Sequence, residues 1–273
     1  MKVLLKTVII LILSPWLTNF SLAQSSGEII YKTILEVDDF KELEGVLVFK
    51  NDISLFFAKN YSNDLSFITK SNEGYVENNE MNFGMSFNIE PPKDSLMHQV
   101  YVDLNEDQIR SKGTIFKGGV YHSCIVIEPT GTMVWELTNE SKKIDSYIAY
   151  KAKTTFRGRN YIAWFTPEIA IDAGPWKFHG LPGLILEVTD DELGVQFLFS
   201  SIEVFSDYEF EIIQPREELV LTIDEYAAYN DPDKIAQDFI SWITSELPEG
   251  SSIINPSSIT TNVKIKGIER VYE

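Results

Sequence analysis

The chain has 273 residues, with 23 Lys and Arg against 41 Asp and Glu, so its formal charge is −18 at pH 7. Its 44% apolar content is enough for a sizeable core and argues against wholesale disorder. A pI near 4.6 argues against bulk electrostatic binding of nucleic acid, and a single Cys excludes an intrachain disulfide framework or a multi-Cys metal cage.

Residues 1–23 read as a secretory signal. Lys2 and Lys6 open it, Val8 to Leu13 form the apolar run, Pro15 breaks that run, and Ser21-Leu22-Ala23 has the small-x-small pattern that precedes a cut. The strongly apolar stretch is about ten residues, half of the roughly 20 a membrane span needs. No Cys follows it to carry a lipid, and no later stretch is apolar enough to span a bilayer as a helix. The expectation is a signal peptide over 1–23 and a single β-rich domain over 24–273, exported to the periplasm or envelope or secreted.

The rest of the chain alternates with period two over many short segments rich in β-branched and aromatic residues. A first strand runs from Ile29 to Val37, and 46–50 and 53–58 flank Asn51-Asp52 as a hairpin. Residues 60–80, rich in Asn, Ser and Glu, read as a long loop or irregular excursion. Further strands are expected at 83–89, 99–104, 120–127, 132–137, 147–156, 160–165, 184–188, 195–204, 208–213 and 259–272. Short turns between successive strands, such as Pro129-Thr130-Gly131 and Arg157-Gly158-Arg159, imply antiparallel pairing. Thr222-Ile223-Asp224-Glu225 is a capping box for a short helix. Asp231 and Pro232 then open a longer helix, whose stripe of Ile235, Phe239, Ile240, Ile243 and Leu247 is suited to packing on a sheet. The expected fold is mainly β: a curved antiparallel sheet or open barrel of roughly 10–13 strands with one packed C-terminal amphipathic helix. A β-sandwich is the alternative.

The most informative stretch is 160–188. Two apolar strands bracket Gly174, Pro175, Trp176, Phe178, Gly180, Leu181, Pro182 and Gly183. Glycines that allow left-handed backbone beside prolines that fix φ require one definite path, and the aromatics pin it. The segment is either a buried corner between strands or a binding loop whose amides and aromatics face a ligand. Gly180 to Ile185 spells GLPGLI. With Ala163-Trp164-Phe165-Thr166-Pro167-Glu168, Gly174-Pro175 and the Phe156-Arg157-Gly158-Arg159 turn, the sequence resembles the GLPGLI family of exported proteins, found mainly in Bacteroidota. The resemblance implies an exported compartment and brings no established activity or cofactor. Ala170 stands where relatives commonly carry Pro, and Ala149 where many carry Cys, so a thiol mechanism at that position is not available to this chain.

Lys142, Lys143, Lys151, Lys153, Arg157 and Arg159 form a basic stripe within an acidic protein. Strand periodicity puts Lys151, Lys153, Thr155 and Arg157 on one face and Ile148, Tyr150, Ala152, Thr154 and Phe156 on the other. The stripe is either a solvated face opposed by acidic neighbours or a dock for an anionic partner, with Arg157 and Arg159 at a hairpin tip. Asp190, Asp191 and Glu192 read as a solvated tip.

Motifs for zinc proteases, serine hydrolases and phosphate loops are absent from the sequence. His179, inside the Gly/Pro segment, is the one acid–base candidate, without an identifiable nucleophile. His122 and Cys124, spaced i, i+2, are weak metal candidates that need His98 as a third ligand. No cofactor is implied. The favoured activity is non-enzymatic binding of an envelope protein or apolar small molecule. The alternatives are a hydrolase-like periplasmic enzyme using His179 and an assembly component of an outer-membrane complex.

Overall fold

The computed structural model describes residues 26–35, 41–59, 68–77, 80–89, 99–205, 211–246 and 259–263. Strands β1 (Ser26–Leu35), β2 (Lys41–Lys50) and β3 (Ile53–Lys59) are followed by β4 (Ile68–Glu77) and β5 (Glu80–Ile89). Next come β6 (Gln99–Asp103), β7 (Gln108–Lys117) and β8 (Val120–Glu128), then β9 (Glu136–Ile144), β10 (Tyr147–Phe156) and β11 (Arg159–Thr166). After a long irregular segment the chain forms β12 (Leu184–Asp190), β13 (Val195–Phe205) and the short β14 (Val220–Thr222). Helices α1 (Ile223–Tyr229) and α2 (Pro232–Ser245) precede β15 (Ile259–Val263).

Among the described residues, twelve strands form one open sheet in the order β14-β8-β7-β6-β3-β2-β1-β13-β12-β11-β10-β9, and β15-β5-β4 form a second, three-stranded sheet. The fold is mainly β, as expected. The sheet must curl, and chain connectivity shows why. Strands β8 and β9 lie ten positions apart in the large sheet, which on a flat sheet is about 48 Å. Residues 129–135 are all that joins them, and fully extended they reach about 29 Å. The two flanks therefore bend toward each other without closing into a barrel.

The face enclosed by this bend carries the main core. Ile29 and Tyr31 of β1, Leu47 and Phe49 of β2, Phe56 of β3 and Phe197 of β13 are buried there. Phe56 and Phe197 meet edge to face at 5.7 Å although two strands separate theirs. On the β7–β8 flank the helices pack instead: Tyr226 of α1 joins Ile115, Cys124 and Val126, while Ile235 and Phe239 of α2 cover Phe116. The capping box at Thr222 and the Asp231 cap form as expected. Leu247, the last residue of the expected stripe, lies outside the described residues.

Several expectations are corrected. Two pairings, β14 with β8 and β15 with β5, are parallel; these strands are far apart in sequence, so no tight turn dictates their direction. Residues 68–77, expected as loop, form β4. β7 was not anticipated, although Gly118-Gly119, both at positive φ, is a hairpin signal linking it to β8. The strand expected at 132–137 begins at Glu136, after a short 3-10 turn over Thr130–Thr132, and the antiparallel pair expected across Pro129-Thr130-Gly131 does not form, because β8 pairs with β7 and β14 and β9 with β10. Residues 211–213 are irregular rather than strand. The expectations for residues 1–23, 208–210 and 264–272 fall outside the described residues.

Candidate functional site

The 167–183 segment leaves the end of β11 and fills the enclosed face of the sheet. Backbone bonds hold it against the start of β12: Leu184 N–H donates to the Ile169 carbonyl and Ile185 N–H to that of Ala173, each at 3.0 Å. Phe178 N–H donates to the Pro175 carbonyl, closing a turn in which Trp176 takes a positive φ of 54°. Left-handed backbone at a bulky residue is costly and persists only where packing over-determines it. Here the packing is an aromatic cluster around Phe178, which lies 4.9 Å from Tyr161, 5.3 Å from Trp176 and 6.1 Å from Phe197 between ring centroids. Gly183, at φ 142°, is required because a Cβ there would overlap the Thr166 carbonyl. Of the two readings left open by the sequence, the buried corner describes the interior: Trp176, Phe178 and Leu181 are all core residues.

The same segment carries charge into the core. Lys177 is fully buried and pairs with Glu128, at the end of β8. Arg157 Nη2 reaches the other carboxylate oxygen of Glu128 at 2.7 Å. Burial alone would raise the Glu128 carboxyl; the two cations outweigh it and hold it below the ordinary carboxylate range. Beside this triad, Arg159 Nη1 pairs with Asp190 at 2.6 Å, and the second Asp190 oxygen accepts the Val195 N–H. Burying these charges is tolerable only because each is met by opposite charge and hydrogen bonds.

His179 is also buried. Its Nδ1 lies 2.7 Å from the Lys177 carbonyl and its Nε2 2.7 Å from the Thr130 carbonyl. Its own carbonyl accepts from Trp135 Nε1 at 2.7 Å. Thr130 is fastened in turn by Asp107, which accepts its N–H and hydroxyl; those bonds hold the Asp107 carboxyl below its usual range. The ring thus rivets the 129–135 crossing to the interior segment, with both nitrogens engaged by backbone.

The basic stripe divides. Lys153 is exposed, and Lys151 bonds Glu140 at 2.9 Å. Lys142 pairs with Glu187 and sits 4.5 Å from the centre of the Trp164 ring. Arg157 and Arg159, expected at an exposed tip, turn inward; Arg157 takes φ 48°, which breaks strand alternation. Asp190, expected as a solvated tip, is buried with Arg159. Ile148 and Tyr150, expected on one face with Ala152, Thr154 and Phe156, are exposed while Ala152 is buried, because the pairing of β9 with β10 shifts between Tyr150 and Ala152. Such an irregularity moves side chains across the sheet.

The metal candidates do not come together. Cys124 is buried under α1, its thiol pushed up to about 12 chiefly by that burial, while His122 on the same strand is exposed and His98 lies outside the described residues. Among the described residues, no three His, Cys, Asp or Glu side chains converge as metal ligands, and no helix is long and apolar enough to cross a membrane.

Two clefts, of about 540 and 550 Å³, lie on the opposite face of β2, β3 and β6, where the irregular segment 211–216 crosses these strands. Sequence reading missed them: it took part of this segment as strand, and nothing local marks the sheet face beneath. It also missed Glu128, whose partners lie 29 and 49 positions away.

A family model described as a protein of unknown function (Porph_ging) matches residues 157–187. The matched stretch runs from the β10–β11 turn through the interior segment into β12, and includes Arg157, Arg159, Lys177 and His179. No curated protein matches the chain. Among solved structures, PNGF-II in P21 and in C2 space groups each align at 13% identity and a TM-score of 0.44, over 78% of this chain and 34% and 33% of theirs. This chain spans about a third of the length of those structures.

Proposed function

We propose that this is an exported envelope protein of the GLPGLI kind that works by binding rather than by catalysis. The observation that carries the reading is how the 167–183 segment is used. Its aromatics fill the core, Lys177 pairs with Glu128, and both His179 nitrogens face backbone carbonyls. Chemistry-bearing residues are spent on holding the curl, while the clefts open on the other face of the sheet. The secretory pattern over 1–23 supports export, and the GLPGLI sequence at 180–185, inside the family match, supports the kinship.

The test is native mass spectrometry of the chain purified gently from the envelope fraction. The expected spectrum shows a mature chain beginning at Gln24 with an added small-molecule mass that denaturation releases. An unprocessed chain in the cytoplasm overturns the export reading, and a bare chain overturns the binding reading.

A further inference from the structure

We propose that the two outer-face clefts form one site for a zwitterionic amphiphile, with its acyl part beneath segment 211–216 and its head at the sheet rim. The inference rests on the binding reading above and names the ligand class.

Strand register supplies the geometry. Val48 pairs with Leu55, which pairs with Tyr101; Lys50 pairs with Ile53, which pairs with Asp103. Cross-strand partners share a face, so these are successive rows of one surface, about 7 Å apart. It is the face opposite Leu47, Phe49 and Phe56, which belong to the core. The 550 Å³ cleft lies over the apolar row, between Val48 and Leu55 below and Ile212, Ile213 and Pro215 above. The 540 Å³ cleft lies over the polar row and reaches Asn51 and Asn105 in the turns at the rim. Residues 211–214 and Arg216 line both, so the two spaces share a wall and grade from apolar to polar. Each is of the size that encloses small molecules. Ile213, at the mouth, is 76% exposed.

Charge selects the head. The polar cleft places Lys50 and Arg216 in the same lining as Asp103, Glu106 and Glu211. A purely anionic head meets three carboxylates, and a purely cationic one meets two cations. A phosphoethanolamine head offers a phosphate to the cations and an ammonium to the carboxylates, so it complements both signs. Asp103 is held in place: one oxygen accepts the N–H groups of Asn105 and Glu106, and the other accepts the Tyr101 hydroxyl.

The test titrates the mature chain by calorimetry with three amphiphiles of equal short chain length, below their micellar concentrations: a phosphatidylethanolamine, a phosphatidylglycerol and an alkyltrimethylammonium. The phosphatidylethanolamine is expected to bind one to one, at least tenfold tighter than either of the others. Ile213→Asp is expected to weaken it at least tenfold, and Arg216→Glu to remove the preference for its head. Both side chains are exposed, and an unchanged melting temperature verifies folding. Equal affinity for all three ligands, or binding indifferent to Ile213→Asp, overturns the site. If Ile213→Asp still retains the small molecule seen in the native spectrum, the site falls and the binding reading stands. A bare native spectrum with no amphiphile bound overturns both.

Discussion

Glu128 concentrates the residue-scale chemistry of the fold. It lies buried between Lys177 and Arg157, and its carboxyl is held below the ordinary range by those cations against the opposing effect of burial. A depressed carboxyl contributes stability that is present above its unfolded-state value, near 4.3, and is lost as pH falls through the lower folded value. Urea unfolding at descending pH is expected to show that loss below about pH 4, and the Glu128→Gln chain is expected to lack this component. At neutral pH Glu128→Gln leaves both cations without their carboxylate and is expected to cost about 3–5 kcal/mol in the same assay. Two glycines of the motif make a matched pair. A Cβ at Gly180 meets Trp135 at an ordinary 3.6 Å, so Gly180→Ala carries only the cost of its positive φ, about 1–2 kcal/mol. At Gly183 the same methyl overlaps the Thr166 backbone, so Gly183→Ala is expected to lower the melting temperature far more, or to yield no soluble protein.

At the scale of elements, the sequence is legible where a local rule governs. The Asn51-Asp52 hairpin and both helix caps form where local chemistry puts them. Thr222→Ala removes the capping hydroxyl of α1 and is expected to cost about 1 kcal/mol by thermal melts, with the interior aromatic cluster unchanged in near-ultraviolet circular dichroism. Alternation misleads where pairing is irregular. Across the shift between β9 and β10, the buried positions pass from Ala149 to Ala152, so a strict period of two assigns Ile148 and Tyr150 to the wrong environment. β7 escaped notice because its buried face, Ile109, Ser111, Gly113 and Ile115, carries Ser and Gly at half of its positions, which weakens the apolar alternation.

For the whole molecule, the bend of the sheet and the segment it encloses are one feature. The 129–135 crossing forces the flanks together, and the 167–183 segment fills the space between them through Trp176, Phe178 and Leu181. Phe178 touches aromatic side chains from β11, β13 and the crossing itself, through Tyr161, Phe197 and Trp135. Phe178→Ala is therefore expected to cost about 3–5 kcal/mol. Its unfolding should remain a single transition by fluorescence and circular dichroism, since both flanks share the core that loses the ring. Separate transitions for the two probes are the contrary outcome.

The sequence by itself determined the β class, the hairpin turns at Asn51-Asp52 and Arg157-Gly158, the helix caps and the importance of the Gly/Pro segment, because each depends on residues a few positions apart. It also singled out Arg157 and Arg159 within the stripe, His179 within the segment and Asp190 within a turn, but neither Glu128 nor Lys177. Only the tertiary structure decided their environments. Glu128 meets Lys177 across 49 positions, Arg159 meets Asp190 across 31, and His179 meets Thr130 across 49. A charged side chain has the same local sequence whether it faces water or a buried partner. The difference lies in which distant strand the bend of the sheet brings beside it.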